Sequence, residues 1–253
     1  MAAKKAKPPA RPTKKAAKKG SPPARSTKKA AKQADSLALY RALTLAHPDA
    51  HCELDHRSPF ELLVATVLSA QSTDVQVNLV TPALFRAYPG PGQLEQAKPT
   101  DVEALIGRLG MFRQKTKSLI GLSRALVAEH AGRVPTTLAE LVKLPGVGRK
   151  TANVVLGVAF GQPEGVVVDT HVARLAQRLG LSDESTPEKI EQDLMALLPK
   201  SEWDRASHTL IFHGRRICSA RKPACSTCPV HAACPSAFHA EQVGRKPARS
   251  RAG

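Results

Sequence analysis

The sequence predicts an all-α fold, and three observations carry that prediction. Apolar residues recur at helical spacing through the chain after Asp35, alternating strand patterns are nearly absent, and clusters of Pro and Gly punctuate the stripes. Phe60, Leu63, Val64, Val67 and Leu68 line one face of a helix whose N-cap is Ser58 and whose first residue is Pro59. Val102, Leu105, Ile106 and Leu109 form another stripe, and Leu119, Leu122 and Leu126 the next. Leu138 and Leu141 lie before a tight turn at Pro145-Gly146, and Ala152, Val155 and Leu156 after it, so this stretch reads as helix, turn, helix. The run Val166-Val167-Val168 is too short to anchor a sheet and reads as an extended connector. Val172, Leu175, Ala176 and Leu179, then Ile190, Leu194, Leu197 and Leu198, complete the pattern. Turn signals at Pro89-Gly90-Pro91-Gly92, Pro135 and Gly161 to Pro163 separate about ten helices of ordinary length.

The chain has 253 residues, enough for one large domain or two small ones. No run approaches the roughly 18 apolar residues of a membrane span, so a soluble cytoplasmic protein is expected, with no membrane partner. The net charge of +17 points to a polyanionic partner, nucleic acid first, and it is unevenly spread. Residues 1–34 contain ten Lys, two Arg and no acidic residue and carry +12; the segment from His239 onward carries +3, which leaves +2 for the body. The N-terminal segment repeats itself: Pro8 to Lys18 recurs fourteen residues later as Pro22 to Lys32. Such Lys/Ala/Pro repeats resemble linker-histone tails. With five Pro and no Val, Leu, Ile or aromatic residue, residues 1–35 are expected to be disordered, as are 239–253. A mobile polycation of this kind neutralises DNA phosphates and releases counterions; a merely solubilising extension is the alternative.

Three constellations carry chemistry. In Leu144-Pro145-Gly146-Val147-Gly148-Arg149-Lys150-Thr151-Ala152, the closely spaced glycines permit a sharp turn that aims N–H groups outward at a helix N-terminus, where the dipole favours an anion such as a DNA phosphate. A bare Gly-x-Gly also serves ordinary turns, and Lys150 alone would read as a solvated residue or a phosphate contact. Asp169 precedes a helical stripe, as an N-cap does. Four of the five cysteines occur as Cys218-x6-Cys225-x2-Cys228-x5-Cys234, which suggests one metal centre. Spacing alone leans to structural zinc over an iron-sulfur cluster and leaves both open. Arg221 and Lys222, between the first two of these cysteines, could hold phosphates, or form a solvated loop; Cys52 reads as an ordinary partly buried thiol.

The segment from Leu144 to Leu156, together with Val168-Asp169-Thr170-His171-Val172 and the cysteine spacing, resembles the endonuclease III family of helix-hairpin-helix DNA glycosylases, over roughly Leu37 to Phe238. The resemblance implies two helical domains with a cleft between them: residues 53–163 bearing the hairpin, and residues 36–52 with 164–238 bearing a [4Fe-4S] cluster on Cys218, Cys225, Cys228 and Cys234. It implies a monomeric bifunctional glycosylase and abasic-site lyase acting on oxidised pyrimidines in double-stranded DNA. Lys150 is then the nucleophile, Asp169 its assistant, and Gly146, Val147 and Gly148 a phosphate contact. Gln71, in Leu68-Ser69-Ala70-Gln71, is implied as the residue that fills the gap left by the extruded base. Met111 stands at a second wedge position where relatives carry leucine. The adenine glycosylase branch shares hairpin and cluster but lacks the hairpin lysine. A non-catalytic DNA-compacting protein is the rival reading, which the histone-like tail keeps open and intact Lys150 and Asp169 disfavour. His171 reads as a packing or hydrogen-bonding residue.

Overall fold

The computed structural model describes residues 24–243, with side chains from residue 33 onward. Among the described residues there are eleven α-helices, three short 3-10 helices and no strand. In chain order they are α1 (Ala24–Ala46), α2 (Pro59–Leu68), α3 (Asp74–Ala87), α4 (Pro91–Leu94), α5 (Pro99–Ile106), α6 (Phe112–His130), α7 (Leu138–Leu141), α8 (Arg149–Phe160), α9 (Thr170–Arg178), α10 (Pro187–Leu197) and α11 (Trp203–Arg216).

Local chemistry sets where the helices begin. Ser58 caps α2 by accepting the Glu61 N–H at 3.2 Å, and the Glu61 carboxylate reaches back to the Arg57 N–H at 2.7 Å. Thr73 and Thr137 cap α3 and α7 through their hydroxyls, and α2, α4, α5 and α10 carry Pro in the first turn. Eight of the ten residues of α2 are buried, which makes it the central helix of its half of the molecule.

The buried apolar side chains form two clusters. One runs from Leu54 to Leu156 and draws on α2 through α8. The other joins Leu39, Tyr40 and Leu43 of α1 to residues from Val166 onward, including Val172, Ile190, Leu210 and Val230. The chain therefore begins the second core, leaves to build the first, and returns through the extended Val166-Val167-Val168 connector. That connector is fixed where Ser207 accepts the Val167 N–H at 2.9 Å. The two halves meet closely where α8 lies on α11: a Cβ at Gly157 would collide with the Asp204 carboxylate. Arg215 of α11 also reaches across to Glu53 and to Asp74, the latter at 2.8 Å.

The ends depart from the expected boundaries. The expected disorder of residues 1–35 falls on undescribed residues up to 23, but α1 already begins at Ala24. Beyond Pro23 the chain has no Pro or Gly until the docked part of α1, and its Ala, Lys and Gln are good helix formers. Extending an existing helix avoids the cost of nucleation, which an argument from burial alone overlooks. At the other end, residues 239–243 are ordered and only 244–253 lie outside the described residues. Ala240 is buried, and the Val243 carbonyl accepts from Arg178 at 2.9 Å.

Candidate active site and DNA interface

The site lies at the seam of the two cores, in a cleft of about 260 Å3 lined by Gln71, Cys52, Lys150, Asp169, His208 and Arg215, among others. Lys150 reaches it from the first turn of α8, whose opposite face buries Ala152, Val155 and Leu156. Asp169 reaches it as the N-cap of α9: its Oδ1 accepts the N–H groups of His171 and Val172, each at 2.8 Å. Among the described residues its Oδ2 takes no hydrogen bond, and no ion pair ties it to Lys150. The cap thus fixes the carboxylate in place while leaving one oxygen for the cleft. Cys52 lines the same cleft, where burial pushes its thiol up to about 11, so it stays protonated at neutral pH. His171 is held below its ordinary range by burial and hydrogen-bonds with Arg174, the packing role expected of it.

The hairpin before Lys150 is built on two different glycines. Gly146 has φ +80, and a Cβ there would stand 2.6 Å from the Ser118 Cβ, so backbone and space both require glycine. Gly148 is the N-cap of α8 in extended backbone, and no side chain caps the helix. The N–H groups of the first turn of α8 are therefore available to an anion. Val147 contributes differently from its neighbours: its side chain is buried and its N–H is bonded to the Leu144 carbonyl at 3.1 Å. Its part is to seat the hairpin.

Gln71 and Met111 stand on adjoining turns. Both are exposed and both have left-handed backbone, φ +56 and +57. A Cβ at Gly110 would lie 3.9 Å from the Gln71 carbonyl, which shows how closely the two turns approach. Arg221 and Lys222 are exposed on the cysteine loop and do not line the cleft. The Lys222 N–H, at φ +54, is held by Glu241 at 2.6 Å.

The four clustered cysteines line one apolar cavity with Leu179, His213 and Ile217. Among the described residues no three His, Cys, Asp or Glu side chains converge tightly enough to share a single ion. Beneath the loop, Arg178 is fully buried and donates to the Cys218 sulfur at 3.3 Å and to the carbonyls of Ser219, Ala220 and Val243. Arg174, also buried, donates to the carbonyls of Gly214 and Cys218. Among the described residues neither guanidinium is paired with a carboxylate. Two buried cations without a counter-charge are costly, and an anionic centre of several thiolates in the cavity would supply it. Burial raises the Cys228 and Cys234 thiols, so a metal is what would hold them as thiolates.

Comparison with known proteins places this arrangement. Residues 64–200 match the family described as HhH-GPD superfamily base excision DNA repair protein. Endonuclease III of Synechocystis sp. is 52% identical over 191 residues, 76% of this chain and 87% of that protein. The Bacillus subtilis endonuclease III is 45% identical over 188 residues, 74% of this chain and 85% of that one. The chain belongs to the endonuclease III family. A solved structure of a trapped endonuclease III–DNA covalent intermediate superimposes with a TM-score of 0.77 at 42% identity, covering 83% of this chain and 97% of that one. A thermostable thymine-DNA glycosylase, at 21% identity and a TM-score of 0.67, shares the fold. Like other endonuclease III proteins, the chain is a base-excision-repair DNA glycosylase and abasic-site lyase.

Several residues of this endonuclease III site escaped the sequence reading. Arg174 and Arg178 sit on the α9 stripe at i and i+4, where charged residues normally mark the solvated face. The signal that could have found them is their spacing from each other, which places both on one side of α9. The bridge from Arg215 to Glu53 and Asp74 joins residues far apart in the chain and leaves no local trace.

Proposed function

We propose that Lys150 is the nucleophile and Asp169 its assistant in removing an oxidised pyrimidine from duplex DNA. The observation that carries the reading is their joint presence in one cleft, at the end of a phosphate-ready hairpin and beside Gln71. The Lys150 amine, as its free base, adds to the sugar C1′ as the bond from C1′ to the base breaks, and the base leaves with the electron pair and takes up a proton. The sugar ring opens to give an iminium joining Nζ to C1′. Its electron demand acidifies the 2′ hydrogen. Loss of that proton drives the electron pair toward C3′ and expels the 3′ phosphate by β-elimination, and water then hydrolyses the Schiff base to free the lysine. Asp169, through Oδ2, accepts the lysine proton and offsets positive charge on the sugar as the base departs.

DNA phosphates dock on the open N–H groups of α8, with Gly146 and Gly148 shaping the turn and Val147 seating it. Gln71 and Met111 fill the stack vacated by the extruded nucleotide, and methionine in place of leucine keeps an apolar wedge. Cys218, Cys225, Cys228 and Cys234 hold a [4Fe-4S] cluster, a reading that family membership favours over the zinc site suggested by spacing. Bound there, the cluster supplies a four-point thiolate tether. Braced by it and by Arg178, the loop offers Arg221 and Lys222 to the duplex backbone. The working unit is a monomer of two domains, 53–163 and 36–52 with 164–238, acting in the cytoplasm on nucleoid DNA.

Borohydride trapping on a duplex containing thymine glycol tests the assignment. Wild type is expected to give a covalent protein–DNA adduct and Lys150→Ala none; an adduct formed equally by the variant would remove Lys150 from the role.

A further inference from the structure

Lys115 is a lysine in an unexpected place. It closes the first turn of α6, its N–H bonded to the Met111 carbonyl at 3.0 Å. Its side chain is only 3% exposed, and Nζ donates to Ser72 Oγ at 2.8 Å. Among the described residues no carboxylate pairs with it, and burial holds its pKa below the ordinary lysine range. A buried ammonium with one hydroxyl partner is expensive, whereas an apolar side chain would fill the same space at no such cost. The position of Lys115 supplies a use for that cost.

Ser72 directly follows Gln71, and Lys115 lies one helical turn after Met111. The bond from Nζ to Ser72 is the hydrogen bond that links these two turns among the described residues. Both wedge residues have left-handed backbone, a conformation that side-chain-bearing residues hold only when the surroundings dictate it. A turn free to relax would carry its wedge out of register with the other.

We infer that Lys115 is a positioning residue that, through Ser72, fixes the spacing of Gln71 and Met111, so that both enter the base stack together when a nucleotide is extruded. The inference rests on the gap-filling reading of those two residues. Lys115 itself does not touch DNA, since it is closed off from the surface.

The test compares Lys115→Met and Ser72→Ala with wild type on two substrates under single-turnover conditions. One is a thymine glycol duplex with 2-aminopurine opposite the lesion. The other is a single-stranded oligonucleotide with an abasic site, which has no gap to fill. Both variants are expected to excise the duplex lesion roughly ten- to a hundredfold more slowly, as suits loss of a hydrogen bond from a charged group. The 2-aminopurine signal should slow by the same factor, single-strand cleavage should stay at the wild-type rate, and the double variant should be no worse than either single one. Equal losses on both substrates would mean general damage to the fold and overturn the inference, as would wild-type duplex rates in both variants. Ser72→Ala keeps the test usable if Lys115→Met does not fold. Gln71→Ala separates the two levels of argument. A duplex-specific loss in Gln71→Ala, with none in the other variants, refutes the positioning role alone; no such loss in Gln71→Ala refutes the gap-filling reading itself.

Discussion

Asp169 is asked to do two things at once, and the two can be separated by substitution. As an N-cap it stabilises α9 through Oδ1, and as a carboxylate it faces the cleft through Oδ2. Asparagine preserves the cap and removes the charge; alanine removes both. Asp169→Asn is therefore expected to melt close to wild type while losing about 10²- to 10⁴-fold in excision rate. Asp169→Ala should add a stability loss of about 1 kcal/mol to a similar loss of rate. Chemical denaturation and single-turnover kinetics on both variants check this, and a fully active Asp169→Asn would confine the residue to capping. That Lys150 and Asp169 meet in one cleft, and the four cysteines around one cavity, was legible in the sequence because each belongs to a short run of fixed spacing. Lys115, Arg174 and Arg178 were not. Their neighbours Arg113, Lys117 and Gln177 are equally polar, and nothing local distinguishes a buried cation from a solvated one.

The hairpin between α7 and α8 makes a sharp demand on a single element. A side chain at position 146 meets both a disfavoured backbone and the Ser118 side chain at 2.6 Å. Gly146→Ala should destabilise the protein by about 1–2 kcal/mol from backbone conformation alone and weaken duplex binding. Adding Ser118→Gly should recover the steric part of the loss and leave the backbone part. Melting curves and duplex titrations measure both, and an unperturbed Gly146→Ala would show that the turn can be made another way. At this scale the sequence was most readable where one face is buried and the cap is explicit, as in α2 with Ser58 and Pro59. It was least readable in α3, where exposed Val75 and Leu79 share the helix with buried Val77, Val80 and Leu84, and Pro82 falls in the interior. Apolar residues on both faces blur the period. The start of α1 was misplaced because composition speaks for disorder there, while a helix already docked further along lets the pattern continue upstream.

For the whole molecule, most of the charge falls outside the body along the sequence, since residues 1–34 hold +12 and the body +2. If the N-terminal segment holds the enzyme on DNA through phosphate neutralisation, deleting residues 1–23 should weaken duplex binding and flatten its dependence on salt. Single-turnover chemistry at saturating enzyme should be unchanged. Binding isotherms at several salt concentrations decide it, and an identical salt slope in the truncated protein would exclude the model. The two interleaved cores also bear on how the chain reaches this state. The first core draws only on contiguous sequence and can consolidate while the rest of the chain is still being synthesised. The second cannot, because Leu39, Tyr40 and Leu43 find their partners only after Val166 and later residues emerge. Until then α1 is a helix with an uncovered apolar face waiting across a long loop, and closing that loop is the slow, non-local step of folding. The last part of the second core to arrive carries the four cysteines, so the cavity they line takes shape on a molecule whose hairpin half is already in place.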